Sequence, residues 1–156
     1  MKYARLSKEQ FESLHLEFAN FLAAQSIDKT EWDDIKANRP HLAEQELDVF
    51  SDLIWEGVLS KIEYLEQVSP SHLFLFKAQD DAIRAIILEV PNNINLETEQ
   101  GINWLLQNLS SPQVHINTGR KPCVPCKNSV LFNLMQKGAQ PSSGEWFNQL
   151  DAILPS

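Results

Sequence analysis

Glycine is scarce in this chain, at five of 156 residues, and none of the five builds a phosphate-cradling G-x-x-x-x-G-K-S/T loop. The G-x-S-x-G elbow and the H-E-x-x-H helix motif are missing as well, so neither chemistry has its usual local frame. Cysteine occurs only twice, too rarely for a disulfide framework. No uncharged apolar run approaches the roughly 18 residues of a membrane span. The start, MKYARLSKEQF, has no apolar signal core. These absences predict a chain that spans no membrane and stays in the cytoplasm, where thiols are kept reduced.

Positive charge is also short. Thirteen Lys and Arg face 21 Asp and Glu, for a net charge of −8. The deficit is uneven: Met1 to Val68 holds fourteen acids and seven bases, Ser69 to Ser156 seven and six. An acidic protein of this kind has no broad basic surface to collect phosphates, which excludes general nucleic-acid binding. The partner to expect is another protein or a second copy of the chain, in a possible homo-oligomer.

The hydrophobic fraction, 43%, is that of a globular protein. A chain of this length fits one domain, residues 1–156, and needs no metal or disulfide to close a core. Ser7 and Gln10 form a capping-box pattern. Phe11, Leu14, Phe18, Phe21 and Leu22 behind it recur at helical spacing and predict a helix over Lys8 to Ala24. Thr30 is a fitting N-cap for a short helix carrying Trp32 and Ile35. Pro40 suits the first turn of a third helix, His41 to Tyr64, with Leu47, Phe50, Ile54, Val58 and Ile62 on one face. Gly57 inside it suggests a close helix contact.

The period then changes. HLFLFKA and AIRAIILEV read as strands joined at Gln79-Asp80-Asp81, a hairpin apolar on both faces and so covered on both sides. A helix follows from about Thr98, with Ile102, Leu105, Leu106 and Leu109 on one face. QVHIN is a short third strand. Val130, Leu131, Leu134 and Met135 make a helix that Gly138 stops. Ser142 or Ser143 caps a last helix holding Trp146, Phe147, Leu150 and Ile153. The order α-α-α-β-β-α-β-α-α predicts an α+β fold. Three N-terminal helices pack on a small sheet, a β-hairpin plus a third strand, with further helices at the C-terminus.

Both cysteines lie in RKPCVPCKNS, Arg120 to Ser129. Four readings compete there. As a redox pair, Cys123 and Cys126 have Arg120, Lys121 and Lys127 and a helix start nearby, all of which favour a thiolate or attract an anion. The run resembles the thioredoxin Cys-x-Pro-Cys, but the later strands of that fold have no room in the 30 remaining residues. As a zinc site, the two thiols and His115 give three ligands, and His72 is a conceivable fourth. As a deaminase loop, Pro122-Cys123-Val124-Pro125-Cys126 would need an H-x-E close before it. His15-Leu16-Glu17 instead lies over a hundred residues upstream. As two ordinary thiols in a proline-stiffened connection, the loop asks for nothing more. That last reading leads, with zinc or thiol-redox chemistry as the alternative and no other cofactor implied.

Glu44, Asp48, Asp52 and Glu56 stand four apart, a row of like charges that repel unless something compensates them. With Trp55 beside them they form the best candidate for a partner surface, although a solvated face is the simpler explanation. Glu12-x-x-His15 is a single copy of a di-iron helix motif that needs two.

MKYARLSKEQFESLHLEF, ELDVFSDLIWEGVLSKIEYLE and LMQKGAQPSSGEWF resemble a small uncharacterised family from Bacteroidetes bacteria, a domain of unknown function. The resemblance covers the N-terminal half and the last helices, and implies a stand-alone bacterial protein without assigned catalytic residues. Together these observations favour a non-enzymatic, protein-binding or regulatory domain that uses its acidic helical half.

Overall fold

The computed structural model describes residues 1–154. Among them are seven helices and one five-stranded, wholly antiparallel sheet, an α+β protein. Internal contacts divide the chain into two compact units, Met1–Ser60 and Lys61–Ser156.

The first unit is helical: α1 (Lys8–Ser13), α2 (His15–Ala23), α3 (Lys29–Asn38) and α4 (Pro40–Ser60). The Ser7–Gln10 capping box forms as the sequence predicts, each side chain taking the other's backbone N–H. The single helix expected over Lys8 to Ala24 is two, broken at Leu14. Ser13 Oγ donates to the Gln10 carbonyl at 2.9 Å and His15 Nδ1 lies 3.1 Å from the Glu12 carbonyl. The Gln10 carbonyl still takes Leu14 N–H at 3.1 Å, while the Glu12 carbonyl meets the imidazole where a continuous helix would present it to Leu16 N–H. Asp28 rather than Thr30 caps α3, accepting from Glu31 N–H at 2.8 Å. Aromatic rings make the core: Phe18 sits edge-on to Phe50 at 5.0 Å and to Trp32 at 5.3 Å, with Phe21 also 5.3 Å from Phe50. Gly57 makes no close contact, since a Cβ there would meet nothing within 4 Å.

The second unit holds the sheet, in order β4-β3-β2-β1-β5. Its strands are β1 (Tyr64–Val68), β2 (His72–Ala78), β3 (Ala82–Glu89), β4 (His115–Pro122) and β5 (Gln140–Pro141), with helices α5 (Glu99–Gln107), α6 (Lys127–Gln136) and α7 (Glu145–Ile153). Three strands correct the sequence reading, which expects a hairpin plus one strand; the short β5, paired with β1, is one of them. The helix expected over His41 to Tyr64 ends at Ser60, and Tyr64–Val68, four of whose residues lie beyond the expected helix, form a strand that pairs with β2 and buries Leu65. β4 continues five residues beyond QVHIN, through exposed polar positions that carry no alternating signal. The predicted hairpin turn forms, and Thr98 caps α5.

One sheet face carries Leu73, Leu75, Ile86 and Leu88, all buried against Leu105 of α5 and Phe147 and Leu150 of α7. On the other, Phe76 and Ile83 meet Val130 and Leu134 of α6. Gly138, at φ 113°, ends α6 in a Schellman arrangement: Ala139 N–H reaches the Leu134 carbonyl and Gly138 N–H the Met135 carbonyl. Gly144, at φ 81°, not a serine, caps α7.

Candidate functional site

The acidic row of α4 finds its partner within the chain. Residues 2–6 run along α4 and bind the row in order. Arg5 Nε lies 2.7 Å from Asp48, while the Lys2 and Tyr3 backbone N–H groups reach Asp52 at 2.7 and 2.9 Å. Lys2 Nζ sits 2.7 Å from Glu56, which also accepts from the Tyr3 hydroxyl. The Trp55 indole N–H donates to the Ala4 carbonyl at 3.1 Å. Buried Ser51 anchors the far end, accepting from Leu6 N–H at 3.0 Å and donating to the Leu47 carbonyl at 2.7 Å.

These contacts shift protonation. Arg5 holds the Asp48 carboxyl below its ordinary range. Burial first, and then the bond to Glu56, pushes the Tyr3 phenol up to about 12. Of the residues proposed as an external contact surface, Asp48, Asp52, Trp55 and Glu56 are therefore engaged by the chain's own N-terminal segment, and Glu44 remains exposed nearby.

The same segment walls an open groove of about 540 Å³ on the helical unit. Its floor is Leu6, Phe11, Phe18, Trp32, Ala43 and Leu47. Arg5, Lys8, Lys36 and His15 stand on its rim with a single acid, Glu12. Residues 1–60 contain twelve acids and six bases, yet the groove gathers half of those bases and one of the acids. Lys36 lies 5.9 Å from the Trp32 ring centre, a cation over an aromatic floor.

The cysteine loop has a different character from the one its neighbours suggest. Cys123 and Cys126 are thiols, each half-buried. Burial first, and then the Asp81 carboxylate, pushes the Cys123 thiol up, only partly opposed by Lys127 and Arg120. Arg120 is turned to Asp81 at 2.9 Å. Cys126 is the N-cap residue of α6, with its sulfur 3.1 Å from Ser129 Oγ.

His115 does not join the thiols. It opens β4 while the loop follows its other end, about 23 Å away at the usual rise per residue. His72 and His115 instead both register on Glu89, at that far end of the sheet. Among the described residues no three His, Cys, Asp or Glu side chains stand close enough together to hold a metal ion.

A model described as "Family of unknown function (DUF6495)" matches residues 1–155. The chain belongs to this family. No curated protein and no solved structure matches it. The DUF6495 match spans both units, including the cysteine loop and the middle of the chain where the quoted resemblance is weaker. Among the described residues no helix is long and apolar enough to cross a membrane. The groove is the feature with no linear signature in this DUF6495 chain. Its floor is assembled from α1, α2, α3 and α4, and only the shared helical faces of Phe11 and Phe18 hint at it.

Proposed function

We propose that this protein is a non-enzymatic binding domain whose helical unit takes an acidic segment of a partner protein into the groove. The observation that carries this reading is the inversion of charge: a cationic rim on an aromatic floor, in a unit with twice as many acids as bases. Bulky apolar side chains of the partner would fill the floor, where burial supplies most of the affinity. Flanking Asp or Glu would meet Lys8 and Lys36, setting orientation and association rate. A second copy of this chain is a poorer occupant, because its own acidic row is already paired with residues 2–6.

The test is fluorescence anisotropy with labelled peptides that present Leu or Phe beside Asp and Glu. The expected result is saturable binding in the range of about 10 μM. It should weaken at high salt and at least tenfold in Lys8→Glu/Lys36→Glu. Peptides with the acids replaced by Lys should not bind. Equal binding of acidic and basic peptides, or none of either, would refute the proposal.

A further inference from the structure

On the α7 side of the sheet, three cations stand in one cross-strand row. Lys77 of β2 is opposite Arg84 of β3, which is opposite Arg120 of β4. Like charges directly opposite one another destabilise a sheet unless anions compensate them. Two carboxylates do so in part. Asp151 of α7 takes both terminal nitrogens of Arg84, at 2.6 and 3.2 Å, and Asp81 takes one from Arg120 at 2.9 Å. The row thus holds three positive charges to two negative ones, with the third cation, Lys77, set over the Tyr64 ring at 6.0 Å.

Between Arg84 and Arg120 a cavity of about 550 Å³ opens, lined also by Thr118, Asp151 and Leu154. Thr118 is two residues before Arg120 on β4 and so shares its face. Its hydroxyl makes no hydrogen bond among the described residues. A guanidinium carries five N–H donors. After their carboxylate bonds, Arg84 keeps three and Arg120 four, and Thr118 adds a hydroxyl. A carboxylate ligand has about four lone-pair sites and uses only half of such a set. A phosphate monoester brings up to two negative charges and three acceptor oxygens, and arginine forks match that geometry. Leu154 gives the cavity an apolar side for the rest of the ligand.

We infer that this cavity is a binding site for a small phosphate monoester with a compact apolar body, held by Arg120, Arg84 and Thr118. The assignment is independent of the groove, which belongs to the other unit. Arg120 serves here as an anion ligand, and its neighbour Lys121 points to the opposite face of β4.

The test is calorimetric titration of the full chain with phenyl phosphate, against inorganic phosphate and sodium chloride at matched ionic strength. Phenyl phosphate should bind saturably and more tightly than inorganic phosphate. Arg120→Gln should weaken it about tenfold or more, the loss of one charge-assisted pair, and Thr118→Val several-fold. Lys121→Gln should leave the affinity within about twofold, since only general attraction is reduced. Arg120 and Thr118 are exposed, so their variants keep the fold; unchanged melting temperatures check this. No saturable binding up to about 10 mM, roughly 3 kcal/mol of affinity, would overturn the assignment. So would an equal loss in Lys121→Gln and Arg120→Gln.

Discussion

Removing one oxygen, in Ser51→Ala, tests how the N-terminal segment is fastened to α4. Ser51 is fully buried, and its Oγ is the acceptor that satisfies Leu6 N–H. Leu6 is itself only 7% exposed, so its N–H cannot turn to water once the oxygen is gone. An orphaned buried donor costs about 1–3 kcal/mol. The better helix propensity of alanine returns about 0.5 kcal/mol, leaving a net loss of about 1–2 kcal/mol in urea unfolding. Because Leu6 also lines the groove, the loss is local as well as global. Amide exchange at Leu6 should speed up by about 5–30-fold, the factor equivalent to that energy. The same substitution should weaken peptide binding to the groove without touching any rim charge. An unfolding free energy within about 0.3 kcal/mol of the parent, with Leu6 exchange unchanged, would refute this reasoning.

Three further outcomes follow from the geometry. Gly101→Ala should destabilise by about 2–3 kcal/mol in urea unfolding, since a Cβ would overlap the Asn95 carbonyl, which Thr98 holds from two donors; a neutral effect would mean that this turn yields. The Tyr3 phenol has a folded pKa above its ordinary 10.0, so its contribution is complete below pH 10 and is lost as pH rises toward about 12. In a Tyr64→Phe chain, phenolate absorbance should therefore appear near pH 12 together with a change in Trp55 fluorescence, and a transition at pH 10 would contradict the contact with Glu56. In a Cys126→Ser chain, Cys123 should react with a disulfide reagent more slowly than free cysteine at pH 8, and Asp81→Asn should speed it; a faster reaction than free cysteine would contradict the burial and charge effects described.

What could be read from the letters was local. Ser7 with Gln10, Pro40, Thr98 and Gly138 each act within one turn of chain, and each bounds a helix through its side chain, its ring or, for Gly138 at φ 113°, the lack of a Cβ. The hairpin at residues 79–81 is equally local. The helix end at Tyr64 failed for the opposite reason: Ile62 keeps the apolar spacing of α4, and the strand Tyr64–Val68 that follows Ser60 is defined only by its pairing with β2. The row from Glu44 to Glu56 was legible as needing compensation, but its partner lies some fifty residues earlier in the chain. His115 and Cys123 are eight residues apart, which looks like ligand spacing until the intervening residues prove to be an extended strand. Arg84 and Asp151 are 67 positions apart, and nothing in either neighbourhood marks the pair.

The most direct test of the central claim is to map where an acidic, apolar peptide touches the protein, by amide chemical-shift changes on the labelled full chain. The groove predicts perturbations at Phe11, His15, Phe18, Trp32 and Lys36. Perturbations centred on Asp52 and Glu56, with residues 2–4 released, or none at saturating peptide, would contradict it.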